Sequence, residues 1–283
     1  MAETAAPDAT GLTQALPTLS AWTRRFLAEE IPVLSETAAL LESLRANEDN
    51  VDAHLLAEAI YGDPLMTLKV LAHAGTHRSS RLLTEVETVT AALLLMGISP
   101  FFRTFGPQTS IEARLAPHPC ALEGLQAVMV RAARAARFAL AFAVHRMDDD
   151  AAVIHQAALL HDLAEMLLWC HAPRLALRIA EQQRLQPTLR STHAQRAVLN
   201  IALPDLQLAL MRAWGLPELF VSVGDWRHAL CTPVRNVLLA VRLARHTAHG
   251  WDNPAVPDDL HDIGELLNLR PHATLELARE VDC

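Results

Sequence analysis

Apolar residues recur at helical spacing in nearly every segment of this chain, and strand-like alternation is almost absent. After "PTLS" the spacing predicts a first helix from about Ala21 to Glu30. Pro32 opens "IPVLSETAALLESLRA", in which Leu34, Ala38, Leu41 and Leu44 fall on one helical face. Asp52 is placed to cap "AHLLAEAIYG", and Asp63-Pro64 to start "LMTLKVLAHAG", with Gly62 and Gly75 as stops. A polar connection at 76–88 leads into "VTAALLLMGI". A Pro-rich break near 106–120 then precedes a long helix, roughly Glu123–His145.

Further helices follow, with Asp150 as a cap, Pro173 and Pro204 as punctuation, and one starting near Pro233. Only one Tyr occurs in 283 residues. The predicted fold is an all-α, two-lobed, multi-helix bundle. Residues 1–30 are an N-terminal extension with one helix, the lobes are about 31–118 and 119–250, and 251–283 form a C-terminal helical tail. No clean repeat of 33–45 residues supports a solenoid.

The chain is 51% hydrophobic and 20% charged, within the globular range. No run approaches about 18 uninterrupted apolar residues, so no membrane partner is expected. "MAETAAPDATG" has neither the basic patch nor the apolar core of a secretory leader. Cys120, Cys170, Cys231 and Cys283 are far apart with no CxxC, which fits a reducing cytoplasm. The net charge of −8 argues against a nucleic-acid partner, since phosphate-tracking proteins carry the opposite balance. In "RAARAAR", Arg131, Arg134 and Arg137 are spaced to form one helical stripe, read either as a solvated face or as an anion site.

Chemistry centres on "QAALLHDLAEMLLW" (156–169), where His161 and Asp162 stand side by side. Metal-dependent phosphoester hydrolysis uses imidazole and carboxylate ligands to hold a cation that activates water. On one helix the two side chains would diverge by about 100° and meet an ion between helices. Chance alone predicts roughly 0.7 His-Asp pairs in such a chain, so the dipeptide is weak by itself. A second pair, His261-Asp262 in "HDIGE", has no room downstream for further ligands and is read as a surface helix start.

The setting of the first pair is more specific. "DDDAAVIHQAALLHDLAEMLLW" resembles the His-Asp helix of HD-type proteins, and the chain as a whole resembles the HD-related output domain (HDOD) family, non-catalytic relatives of HD phosphohydrolases. The "DP" at 63–64, the HD pair and "WGLP" at 214–217 occur in the family's order, over about residues 31–250. The resemblance implies a bacterial signal-transduction protein acting through a signalling-protein partner, or through a small, nucleotide-type ligand.

It also indicates which ligands are missing. Catalytic relatives add a His at the start of the preceding long helix, but no His lies between His118 and His145. Their closing Asp falls on Val241, a family His on Leu203, and of a late His pair only His228 is kept. His161, Asp162 and His228 are therefore vestigial metal candidates. No metal, cofactor or catalytic residue is expected, and His161-Asp162 is read as architecture. The alternative is a divergent phosphohydrolase of nucleotides or cyclic dinucleotides using iron, manganese or zinc.

Other constellations are weaker. Gly75 is expected to end the helix between His73 and His77, His246 and His249 suit a helix C-terminus, and Glu165 shares a face with His161. Cys170 reads as core, as do Trp169, Trp214 and Trp226. The two terminal extensions read as an added docking helix and a lobe cap.

Overall fold

A computed structural model describes residues 11–77, 86–228 and 231–282, without the side chain of Trp226. The N-terminal ten residues, most of the polar connection at 76–88 and the packing of Trp226 thus lie outside the described residues. Among the described residues are seventeen α-helices and no strand; one isolated parallel bridge joins Val33 to Ser110. In chain order they are α1 (Leu19–Ala28), α2 (Ser35–Arg45), α3 (Ala53–Ile60), α4 (Pro64–Thr76), α5 (Val89–Met96), α6 (Ile98–Thr104) and α7 (Ile111–Leu115). The long α8 (Pro119–Arg146) follows, then α9 (Ala151–Leu159), α10 (Leu163–His171), α11 (Pro173–Leu185), α12 (Ser191–Leu199) and α13 (Leu203–Ala213). The last are α14 (Glu218–Val223), α15 (Thr232–His246), α16 (Val256–Leu267) and α17 (Pro271–Asp282).

Short polar side chains set several starts. Thr18, Asp52, Asp63 and Thr88 each accept a backbone N–H from the first turn that follows. Proline occupies the first turn of α4, α8, α11, α13, α15 and α16, where its missing N–H costs nothing. Asp63 does more than cap. Its Oδ1 accepts Leu65 and Met66 N–H at 2.9 and 3.0 Å, and its Oδ2 accepts Leu34 N–H at 2.7 Å, tying α4 to the start of α2.

The pillar of the bundle is α8, whose buried face mixes small Ala132, Ala135 and Ala139 with Phe138 and Phe142. The small residues let α9 and α15 pack closely against it. Helices α2 to α6 pack mainly among themselves and join the rest through α4 against α10 and through α7 against α8 and α10.

Gly75 does not end α4, which continues to Thr76. A Cβ there would lie 2.2 Å from the Trp214 carbonyl oxygen and 2.5 Å from that of Gly215, so glycine lets the two backbones touch. The "AG" and "WGLP" segments are thus two faces of one contact.

Both extensions belong to the same packing. Trp22 and Phe26 of α1 are fully buried, and Trp22 Nε1 donates to the Leu199 carbonyl at 3.0 Å. The apolar face of α1 is used by its own chain. The C-terminal tail holds two helices, α16 and α17, and Asp282 accepts from Arg134 Nε and Nη2, both at 2.7 Å. The stretch Ala151–His171 is long and apolar enough to cross a membrane (mean hydropathy 1.2), yet 78% of it is buried in the bundle.

Candidate functional site

His161 and Asp162 do not share a continuous helix. α9 stops at Leu159, and Leu160–Asp162 form a turn before α10, with Leu160 and Asp162 near φ −95°, ψ 6° and φ −106°, ψ 26°. The Asp162 carbonyl accepts the N–H groups of Glu165 and Met166, but its side chain makes no cap and is free to face α8 and α15. Gln207 of α13 clamps the turn from behind: its NH2 donates to the His161 carbonyl, and its Oε1 accepts Ala164 N–H at 3.3 Å.

The Asp162 carboxylate is 9% exposed and both its oxygens are engaged. Oδ2 accepts Arg131 Nη2 at 3.0 Å and Nε at 3.3 Å, the former shared with Glu165 Oε2 at 3.0 Å. Oδ1 accepts Arg245 Nη2 at 2.5 Å and the Nδ1–H of His161 at 3.0 Å. Two guanidinium groups thus face two carboxylates, and their formal charges cancel. Burial alone would raise the Asp162 carboxyl, but His161, Arg245 and Arg131 together hold it well below the usual range. Glu165 moves the other way, raised by burial and by the adjacent Asp162 charge.

The three arginines of "RAARAAR" do not form one stripe. Each step of three residues turns the helix back by about 60°, so over six residues they fan across about 120°. Arg131 faces the His-Asp turn, Arg134 holds Asp282 and the Thr247 carbonyl and hydroxyl, and Arg137 is exposed, near Tyr61, whose phenol is raised by desolvation against the opposing charge of Arg137. His228 lies in a short 3-10 turn at 226–228, its Nδ1 buried and without a partner, and it is not among the side chains that bond His161 or Asp162.

His261-Asp262 lies inside α16 rather than at its start, and Asp262 Oδ2 pairs with Arg242 at 2.5 Å. His246 caps nothing: its Nδ1 meets Asp259 Oδ2 at 2.5 Å across the α15–α16 interface. His73 and His77 stack at 4.0 Å. Cys170 is buried and its thiol is pushed up to about 12 by desolvation, which leaves no thiolate nucleophile.

Two side chains that complete the site, Arg245 and Gln207, were not selected from sequence. Arg245 has a signal: it stands one helical turn after Val241, the position of the closing Asp in catalytic relatives. Gln207 has none, because a lone amide on an amphipathic helix reads as surface.

A divalent ion needs anionic or imidazole donors with lone pairs to spare. Here both oxygens of Asp162 are bonded to cations or N–H groups, and the Nδ1 of His161 donates to it. No group of three or more His, Cys, Asp or Glu side chains is placed to hold a metal among the described residues. These residues do not fit the metal of a phosphohydrolase.

An all-helical bundle wrapped around a His-Asp turn defines an HD-like domain. The chain belongs to the HDOD domain family, which matches it over residues 31–230. Arg245 and helices α1, α15, α16 and α17 lie outside that match. Among solved structures the chain is similar to the MmoQ response regulator from Methylococcus capsulatus str. Bath, at 20% identity and TM-score 0.68, covering 89% of this chain and 99% of that one. It is also similar to a virulence factor from Campylobacter jejuni subsp. jejuni, at 15% identity and TM-score 0.63, covering 93% and 100%. At these identities the likeness is one of fold. No curated protein matches the sequence.

Proposed function

We propose that this chain is a bacterial, cytoplasmic regulatory domain that transmits a signal without catalysing a reaction. It would do so through a signalling-protein partner or a small ligand, without a metal or other cofactor. Family membership supports the regulatory half of this reading. The observation that carries the non-enzymatic half is the Asp162 carboxylate held between Arg131 and Arg245. A group already bonded to two cations has little left to offer a third, and a catalytic metal also needs an open coordination position.

The test is metal content by elemental analysis of protein purified without chelator. It is paired with phosphodiesterase assays on a cyclic dinucleotide in the presence of manganese or iron. The expected result is no bound metal and no turnover. Stoichiometric metal, together with turnover lost in Asp162→Ala, would overturn the reading in favour of a divergent phosphohydrolase.

A further inference from the structure

Where α3, α4 and α5 meet α9, a cavity of about 160 Å³ opens toward solvent. At ~30 Å³ per water it has room for about five waters, or for one small ring. Ala57, Val89 and Leu159 form an apolar wall, and the Tyr61 ring lies parallel to that of His155, with centroids 4.6 Å apart and planes 11° apart.

The polar groups that line the cavity are underused. His155 is 4% exposed, and neither of its ring nitrogens has a hydrogen-bond partner among the described residues. Gln156 accepts Val89 N–H at 3.2 Å through its carbonyl oxygen, which leaves its NH2 without a partner. Thr67 and Thr90 add hydroxyl groups to the lining. These groups reach the solvent that fills the cavity, and a ligand that bonds them takes the place of that water.

We propose that this cavity is a binding site for a small, uncharged, single-ring aromatic molecule carrying a hydrogen-bonding group. Tyr61, half exposed and backed by the stacked His155 ring, supplies an aromatic surface, and His155, Gln156 and the threonines supply donors and acceptors. Glu58 on the lining disfavours an anion, and no Lys or Arg is among the described lining residues, although the exposed Arg137 acts on Tyr61 from outside the cavity. Desolvation, which pushes the His155 imidazole down to about 4, leaves that ring uncharged at neutral pH. The site joins helices from before and after the Pro-rich break, and α9 runs from it directly into the His-Asp turn. The proposal stands whether or not the domain signals.

The probes are phenol and uracil as neutral rings, with benzoate and benzylamine as charged controls. Binding is followed by saturation-transfer NMR and by the His155 ring signals of histidine-labelled full-length protein. Two variants separate binding from folding. Ala57→Met fills the cavity without touching a hydrogen-bonding group, and His155→Phe keeps a ring but removes its nitrogens.

We expect a neutral ring to bind at or below about 1 mM, in the range of fragment-sized ligands. Both variants should keep the wild-type melting profile and weaken binding about tenfold or more. If neither neutral ring shifts the His155 signals up to about 10 mM, the proposal is wrong. It is equally wrong if binding survives both variants, or if benzoate or benzylamine binds instead of the neutral rings.

Discussion

Arg245 reaches Asp162 at 2.5 Å from a helix that begins after the last residue of the family match, so a side chain outside the recognised domain completes the charge balance of its signature motif. Arg131 approaches the same carboxylate from α8. The three helices α8, α10 and α15 are therefore held at one point, and the consequences are measurable.

Replacing Asp162 with Ala leaves two guanidinium groups facing each other across the turn. Breaking a fully buried pair costs about 3–5 kcal/mol, and the half-exposed Arg245 brings the expectation down to about 2–3. Arg245→Ala should cost about 1 kcal/mol, because Arg131 still neutralises Asp162. Urea unfolding of the single and double variants checks both figures. Additive losses would show that the two residues are not coupled.

Acid should destabilise the fold well above the carboxylate range. His155 and His171 are both buried, with imidazoles held down to about 4 and about 3 by desolvation, against 6.5 when exposed. The unfolded chain then binds more protons than the folded one, so their contribution is complete above about pH 6.5 and is lost as pH falls toward 4. Each should add a slope approaching about 1.4 kcal/mol per pH unit in that window. His155→Phe should remove its share of the slope, as read from urea midpoints at stepped pH.

Gly75→Ala places a methyl group against two carbonyl oxygens that belong to backbone and cannot swing away. A loss of about 1–3 kcal/mol is expected from the forced shift between α4 and the end of α13. An unchanged melting temperature would mean that the two backbones separate freely.

Trp22→Ala should be among the most damaging single changes, at about 3–5 kcal/mol, although it precedes the family match. Thermal unfolding would show it. A loss below about 1 kcal/mol would mean that α1 is an ornament on the bundle.

The all-α character was legible because helical spacing and capping residues are local properties. Asp52, Asp63 and Pro64 act where the sequence places them. What remained hidden depends on distant partners. Gly75 reads as a stop until the backbone of Trp214 and Gly215 is set against it. His161 and Asp162 read as helical because their neighbours are good helix formers, yet the chain turns there, under the Gln207 clamp. Arg131 was visible on its helix, but its partners are 31 and 34 residues away. Arg134 looked like its equivalent and serves Asp282 instead, 148 residues on.

The bond from Trp22 to Leu199 closes a separation of 177 residues. A tie of that reach cannot form early, since its loop must be closed before the contact repays the lost chain entropy. It also passes over the Pro-rich break between the two groups of helices. Shedding α1 would expose the indole and the ring of Phe26 and uncover the face of α13 on which they pack, so the second group of helices should lose stability with it, and the bundle should refold slowly for a helical protein of this size.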